Sequence, residues 1–282
     1  MAYLILCNPL SGNGRGEAAA HKLDSMLEGE LIYRDATKFS SFADALSLLK
    51  EGDRLIICGG DGTLNRFIND TAGMDLPEVL YFGTGSGNDF LNDLNRKPED
   101  GPVRINEYIK DLPRVQVKGL DRLFINGIGY GIDGYCCEEG DRIRATSDKP
   151  VNYTNIALKG LLWAFKPVNA KVTVDGVTRE YHKAWLAPTM HGRCIGGGMF
   201  LTPGQDRLDP EHMVSVLVFH GLGKFRTLAI FPSVFKGEHV KHKDHCVILT
   251  GHDVHIEFDR PTALQIDGET VTGVTEYSVK AR

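Results

Sequence analysis

Four runs in the first third of the chain, 3–7, 31–33, 55–58 and 79–82, are apolar on successive positions and only three to five residues long. A strand with one wet face alternates apolar and polar residues. A strand without alternation is buried on both faces, the condition of a parallel sheet covered by helices. Between these runs, 17–27 and 39–49 space their apolar residues three and four apart, the period of a helix. Strand, turn and helix in repetition predict an α/β domain on a parallel sheet.

After about residue 120 the pattern changes to short β-rich runs at 171–174, 214–219, 246–249 and 254–258, interrupted by helical candidates at 152–165 and 224–235. The reading is a second, mainly antiparallel β-sandwich domain. Domain one is placed at 1–120 and domain two at 121–270, with 271–282 as a segment that can return to domain one. The 282 residues, 42% hydrophobic and 24% charged, suit two medium domains.

A net charge of -5 provides no basic field for nucleic acid, so nucleic-acid partners are excluded and any membrane contact must be local. The six cysteines show no CxxC spacing, which predicts reduced thiols in a cytoplasmic setting. No apolar run has the ~18–20 residues that span a bilayer. The N-terminal stretch lacks a basic region ahead of its apolar run and reads as a first strand, not a signal peptide.

Three of the expected strands run into glycine-rich segments: Asn8-Pro9-Leu10-Ser11-Gly12-Asn13-Gly14, Gly59-Gly60-Asp61-Gly62-Thr63-Leu64-Asn65 and Gly83-Thr84-Gly85-Ser86-Gly87-Asn88-Asp89-Phe90. Glycine lets backbone N–H groups approach phosphate oxygens, and a following helix adds its unpaired donors and positive end. The C-terminal edge of an open parallel sheet is where ligands bind. A polyphosphate site follows from three such loops together. No Lys follows the glycines as in a Walker loop, and no clean GxGxxG with a later acid marks a dinucleotide fold. Asp61, inside the second loop, is placed to hold Mg²⁺ beside the phosphates, directly or through water.

These three segments in order resemble the signatures of the diacylglycerol-kinase-type lipid kinases, a family that includes sphingosine kinases and is related to NAD kinases. The likeness continues through NGIGYGID at 126–133, Gly196-Gly197-Gly198-Met199 with Pro203, and Asp267-Gly268-Glu269. It implies a phosphofructokinase-like α/β domain followed by a β-sandwich, with the site in the cleft between them. It also implies an ATP-dependent transfer of the γ-phosphate to a lipid hydroxyl, with Mg²⁺ as the metal. ATP and a lipid reached by peripheral, transient membrane contact are then the expected partners, and a homodimer is admitted.

Carried onto this chain, the resemblance makes Asn8, Pro9, Ser11, Gly12, Gly14, Gly59, Gly60, Asp61, Gly62, Thr63, Asn65, Asn88 and Asp89 nucleotide contacts. Thr37 and Ser86 join them, Ser86 standing where the family usually has Thr. Glu269 is the first choice for the base and Asp267 the second, although Asp-Gly between two β-rich runs is also a hairpin turn on its own. Arg66 stands where the family usually has Glu, and is either a phosphate contact or a solvated helix residue. Asp209 and Glu211, with Asp61, are the metal candidates, while Ser215 replaces a further Asp of the family's magnesium segment. His239, His242 and His245 read as a solvated basic turn, and 155–165 as a helix packed on the β domain. Competing functions are a kinase of a soluble hydroxyl compound such as NAD and a nucleotide-binding regulator without turnover.

Overall fold

The computed structural model describes residues 2–147 and 151–282, which fall into two compact units, Met1–Lys110 and Asp111–Arg282.

In the first unit β1 (Ala2–Cys7), β2 (Glu30–Asp35), β3 (Arg54–Gly59), β4 (Val79–Gly83) and β5 (Val103–Arg104) form one sheet in the order β2-β1-β3-β4-β5. The first four strands are parallel and β5 is antiparallel to β4, so the sheet is mixed with a parallel majority. Burial of both faces explains the missing alternation. Tyr3, Ile5 and Cys7 share a core with Ile56, Cys58 and Phe82, while Leu4 and Leu6 between them are also buried. The chain leaves β1 for β2 on one side and then crosses to β3 on the other. The order therefore reverses at the β1/β3 boundary, and a crevice for a ligand opens at such a reversal. The helices are shorter than their periodicity suggested: Gly16–Ala20 passes into a 3-10 turn at His21–Ser25, and 39–49 contains only Phe42–Leu46.

The second unit is built on β6 (Arg114–Val117), β7 (Leu120–Leu123), β8 (Gly127–Tyr130), β9 (Val168–Val174), β10 (Val177–Ala184), β11 (Thr189–Met190), β12 (Cys194–Ile195), β13 (Met199–Phe200), β14 (Val214–Phe219), β15 (Cys246–Gly251), β16 (Asp253–Ile266) and β17 (Glu269–Lys280). Apart from the small β12-β13 pair, they make one antiparallel system ordered β15-β14-β11-β8-β16-β17-β6-β7, with β9 and β10 branching from β16. Strand β16 pairs with β9 through its first half and with β8 through its last residues, its ladder to β17 shifting register between Glu257 and Leu264. A bulged strand bends, and the bend folds the sheet over its own core. Tyr130 there stacks on Phe258 at 3.7 Å and meets Tyr277 edge-on at 5.4 Å.

The first unit ends at Lys110, and β6 and β7 belong with the second. The physical reason is that β6 and β7 form a hairpin registered on β17, through Ser278 with Gln116 and Lys280 with Arg114. Residues 271–280 lie in β17, paired with β16 and β6 within the second unit.

The longest described helix, Ile132–Thr146, falls where the sequence suggested none: Ile132, Tyr135, Cys136 and Ile143 keep the three-and-four spacing and face one core, but glycines and charged residues surround them. Its closeness to β16 depends on Gly134, where a Cβ would lie 2.0 Å from the Ala263 carbonyl oxygen. The candidates at 152–165 and 224–235 are each a short helix, Tyr153–Lys159 and Lys224–Ile230, continued by a turn of different pitch. His239 departs from the solvated turn expected for it: it is fully buried, with Nε2 at 2.8 Å from the Leu201 carbonyl oxygen.

Candidate functional site

The three glycine segments leave the C-terminal ends of β1, β3 and β4 and are joined to one another. Asn8 begins the first: its N–H donates to the Cys58 carbonyl at 2.9 Å, and its Nδ2 donates to Thr63 Oγ1 at 2.9 Å. Its Oδ1 accepts from the Leu10 N–H at 3.0 Å, which turns the chain. Ser11 Oγ then meets Thr84 Oγ1 of the third loop at 2.7 Å. The Thr84 N–H donates to the Gly59 carbonyl of the second at 2.8 Å.

Glycine is required where these backbones touch. Gly12 has φ +57° and a Cβ there would meet the Thr84 carbonyl oxygen at 2.5 Å; a Cβ on Gly85 would meet the Gly60 Cα at 2.5 Å. The result is a rim of backbone in which Pro9, Gly14, Gly62 and Ser86 stay partly or fully exposed.

Asp61 ties the rim together. Its carboxylate accepts the N–H groups of Asp89 at 3.0 Å and Phe90 at 3.1 Å, the first donors of the helix Asp89–Asp93. Asn88, in the left-handed region at φ +50°, closes the loop: its Oδ1 accepts from the Gly85 N–H and its Nδ2 donates to the Gly85 carbonyl.

Asn65 and Thr37 each bond a neighbour in their own segment. Asn65 is fully buried one turn into the helix Asp61–Asp70, its Oδ1 accepting from Asn69 Nδ2 at 3.2 Å, so it supports the helix from inside. Thr37 follows β2, and its hydroxyl donates to Asp35 Oδ1 at 2.6 Å, a bond that also holds the Asp35 carboxyl below the usual carboxylate range. Thr84, which the sequence reading left out of the site, is the hydroxyl that joins loops one and three. Its position between Gly83 and Gly85 was the available signal.

Arg66 is partly exposed and engaged by the backbone of another segment. From the helix Asp61–Asp70 its guanidinium donates to the carbonyls of Phe39 at 2.7 Å and Ser40 at 3.1 Å, lies over the Phe42 ring at 5.2 Å and pairs with Asp70 at 3.4 Å. It latches the segment that carries Thr37. Arg66→Ala is expected to cost about 1–2 kcal/mol, since the group is partly exposed. A thermal melt checks this, and an unchanged midpoint would show that the latch contributes nothing net.

In the second unit Asp267 and Gly268 form a two-residue hairpin turn with φ +45° and +95°, between the paired residues Ile266 and Glu269. The Asp267 side chain is buried and accepts three backbone N–H groups, from Ile125 at 2.7 Å, Asn126 at 2.8 Å and Gly127 at 2.9 Å. It rivets the β16–β17 turn to the start of β8. Glu269, the next residue but one, is half exposed and ion-paired with Arg122. Asp209 Oδ1 accepts the Glu211 N–H at 3.1 Å in a tight surface turn. Ser215, which stands at the altered magnesium segment, is buried with its hydroxyl on Gln205 Oε1. Among the described residues no three His, Cys, Asp or Glu side chains converge as a metal cage.

A buried polar group beside the rivet was not anticipated. Arg207 donates to the Ile125 carbonyl and, at 2.7 Å, to Asn126 Oδ1, and His191 donates its backbone N–H to the Asn126 carbonyl. Burial, with Arg207 nearby, holds the His191 imidazole down at about 3. It stays neutral in the folded chain while the unfolded chain takes up a proton below its ordinary value near 6.5. Stability is therefore expected to be unaffected by this group above about pH 6.5 and to fall by up to ~1.4 kcal/mol per pH unit from there towards pH ~3. His191→Gln should flatten that slope in urea titrations; an identical slope would exclude His191 as its source.

Comparison with known proteins agrees with the arrangement of both units. Residues 2–117 match the model of the diacylglycerol kinase catalytic domain, and residues 126–280, more than half the chain, match the YegS C-terminal NAD kinase beta sandwich-like domain.

The chain belongs to the diacylglycerol-kinase-type lipid kinase family.

Relatives of this kinase span most of its length. A diacylglycerol kinase of Mycobacterium tuberculosis is 26% identical over 266 residues, covering 89% of this chain and 84% of that protein. A diacylglycerol kinase of Bacillus subtilis is 25% identical over 229 residues, covering 78% and 72%. The crystal structure of a diacylglycerol kinase from Bacillus anthracis shares the fold of this kinase, with a TM-score of 0.62 at 18% identity, covering 99% of this chain and 92% of that one.

Proposed function

We propose that this kinase transfers the γ-phosphate of ATP to a hydroxyl of a diacylglycerol-like lipid. The observation that supports it best is the rim of three joined loops at the sheet's order reversal, its glycines in backbone contact and its N–H groups fixed by Asp61. Phosphoryl transfer asks the protein chiefly to position the phosphates and acceptor and to stabilise charge, and a rim of fixed backbone donors can do the first. The exposed Ser86 and Gly62, with the Ser11 and Thr63 hydroxyls beside them, would contact the phosphates.

Mg²⁺ fits this donor set, because it is held by one or two carboxylates together with substrate phosphates and waters, without a full protein cage. A carboxylate offers about four lone-pair sites, so accepting backbone N–H groups is compatible with ligating an ion. Asp61 would hold the ion, which when bound neutralises charge developing on the phosphates. Asp209 and Glu211 are the lesser candidates.

Glu269 is the proposed base for the acceptor's hydroxyl proton, with Arg122 orienting its carboxylate. Asp267 then acts as a positioning residue, its carboxylate being engaged by three backbone donors. The test is transfer of label from γ-labelled ATP to a panel of lipids in mixed micelles, with NAD as the soluble alternative. Label in a lipid, reduced about a hundredfold in kcat by Glu269→Gln, is the expected result. Label in NAD alone would overturn the lipid acceptor, and full activity in the variant would remove Glu269 as the base.

A further inference from the structure

Two segments of the second unit, 151–170 and 221–237, contain five basic residues, Lys159, Lys166, Lys224, Arg226 and Lys236, and no acidic one, in a chain whose net charge is -5. The same segments expose large apolar side chains. Phe225 is 85% exposed, Trp163 71%, Phe235 50% and Leu158 43%. Their inward faces are already satisfied: Ile156, Leu161, Phe165, Leu222 and Val234 share one buried core. The two segments are also tied at their outer ends, where Lys224 Nζ donates to the Leu162 carbonyl at 2.9 Å. That bond joins the neighbours of Phe225 and Trp163, so the two exposed aromatics stand on adjoining segments.

Trp163 projects from a turn of π-helix, Gly160–Ala164, whose Leu161 points into the core. Exposing aromatics to water is unfavourable, and neither segment carries a carboxylate; the nearest in sequence, Glu238, pairs with Lys241 and adds a weaker attraction to Lys236. An indole and a phenyl ring ringed by Lys and Arg match the boundary of a bilayer. There the rings enter the headgroup zone, the long basic stems snorkel, and each cation near an anionic surface adds to the attraction.

We propose that this basic and aromatic surface docks the kinase on an anionic lipid bilayer. No described helix is long and apolar enough to cross a membrane, and the surface gives the kinase a lateral hold on one leaflet. Its purpose, delivery of a membrane-borne acceptor, rests on the lipid-kinase reading; docking itself does not require turnover.

The chain has two tryptophans, and Trp185 is 1% exposed, so a change of emission on adding vesicles reports Trp163. Vesicles of phosphatidylcholine with about 30% phosphatidylglycerol are compared with phosphatidylcholine alone, without nucleotide. Expected are a blue shift and quenching by brominated acyl chains on the anionic vesicles, with affinity falling as salt is raised. Trp163→Ala/Phe225→Ala is expected to sediment with them at least about tenfold less well, and Lys159→Glu/Lys166→Glu to lose about as much and to reduce the salt dependence.

Absence of a shift in the unmodified chain, or binding by the aromatic double variant equal to it, would overturn the proposal. So would light scattering that shows a dimer broken by the double variant, which would assign the surface to a second copy. Transfer to a short-chain, water-soluble diacylglycerol is measured separately and should be equal in the unmodified chain and the double variant. Its failure in the unmodified chain would count against the lipid-kinase reading and leave the docking result standing.

Discussion

Asp61→Ala is expected to lower kcat/KM by about a thousandfold or more, the scale of removing a group that stabilises charge in phosphoryl transfer. Two losses combine. The N–H groups of Asp89 and Phe90 lose their acceptor, and the third loop is no longer held against the second where Gly85 touches Gly60. The proposed Mg²⁺ ligand is also removed. Asp61→Asn separates these effects, because its amide keeps one oxygen acceptor and nearly the same shape while losing the charge. A variant that melts like the unmodified chain yet remains inactive at saturating Mg²⁺ would assign the defect to charge. A variant that regains activity as Mg²⁺ is raised would assign it to metal affinity. Activity of Asp61→Ala within tenfold of the unmodified chain would remove the rim from the phosphate site.

Asp267→Ala is expected to act first on stability. Three backbone donors would lose their acceptor in a buried setting, each costing ~1–3 kcal/mol, and alanine in the left-handed conformation of residue 267 would add ~1–2 kcal/mol. The sum, roughly 4–8 kcal/mol after partial relaxation, approaches the whole stability of an ordinary domain. Both tryptophans lie in the second unit, so urea unfolding followed by their fluorescence reads that unit. A shift of the midpoint below about half its original value, or failure to fold, is the expected result. Asp267→Asn, with one oxygen left to accept, should fall between. An Asp267→Ala chain as stable as the original would show that the three bonds contribute nothing net.

The two aspartates show how far local reading reaches. That residue 267 would turn a hairpin was legible, because Asp-Gly supplies two adjacent positive φ values without outside help. That its carboxylate would bond residues 140 to 142 positions away was not. Asp61 was recognised from its place among glycines, but its partners lie 28 and 29 residues on, at the start of a helix that exists only once β4 is beside β3. Arg66 was left between two readings, and its bonds to backbone were in neither, since the carbonyls of Phe39 and Ser40 arrive beside it only after the loop following β2 has folded back.

The sequence by itself determined the parts whose cause is local: strands buried on both faces from unbroken apolar runs, turns from glycine, and three glycine-rich loops at strand ends. Tertiary structure alone decided which carboxylates became rivets, which asparagine went inside, why 132–146 with its few apolar residues is helical, and why Trp163 remains in water while Leu161 is buried. Those outcomes depend on which donors, carbonyls and apolar surfaces the fold brings together. A side chain that can serve several partners carries no mark of the one it will meet.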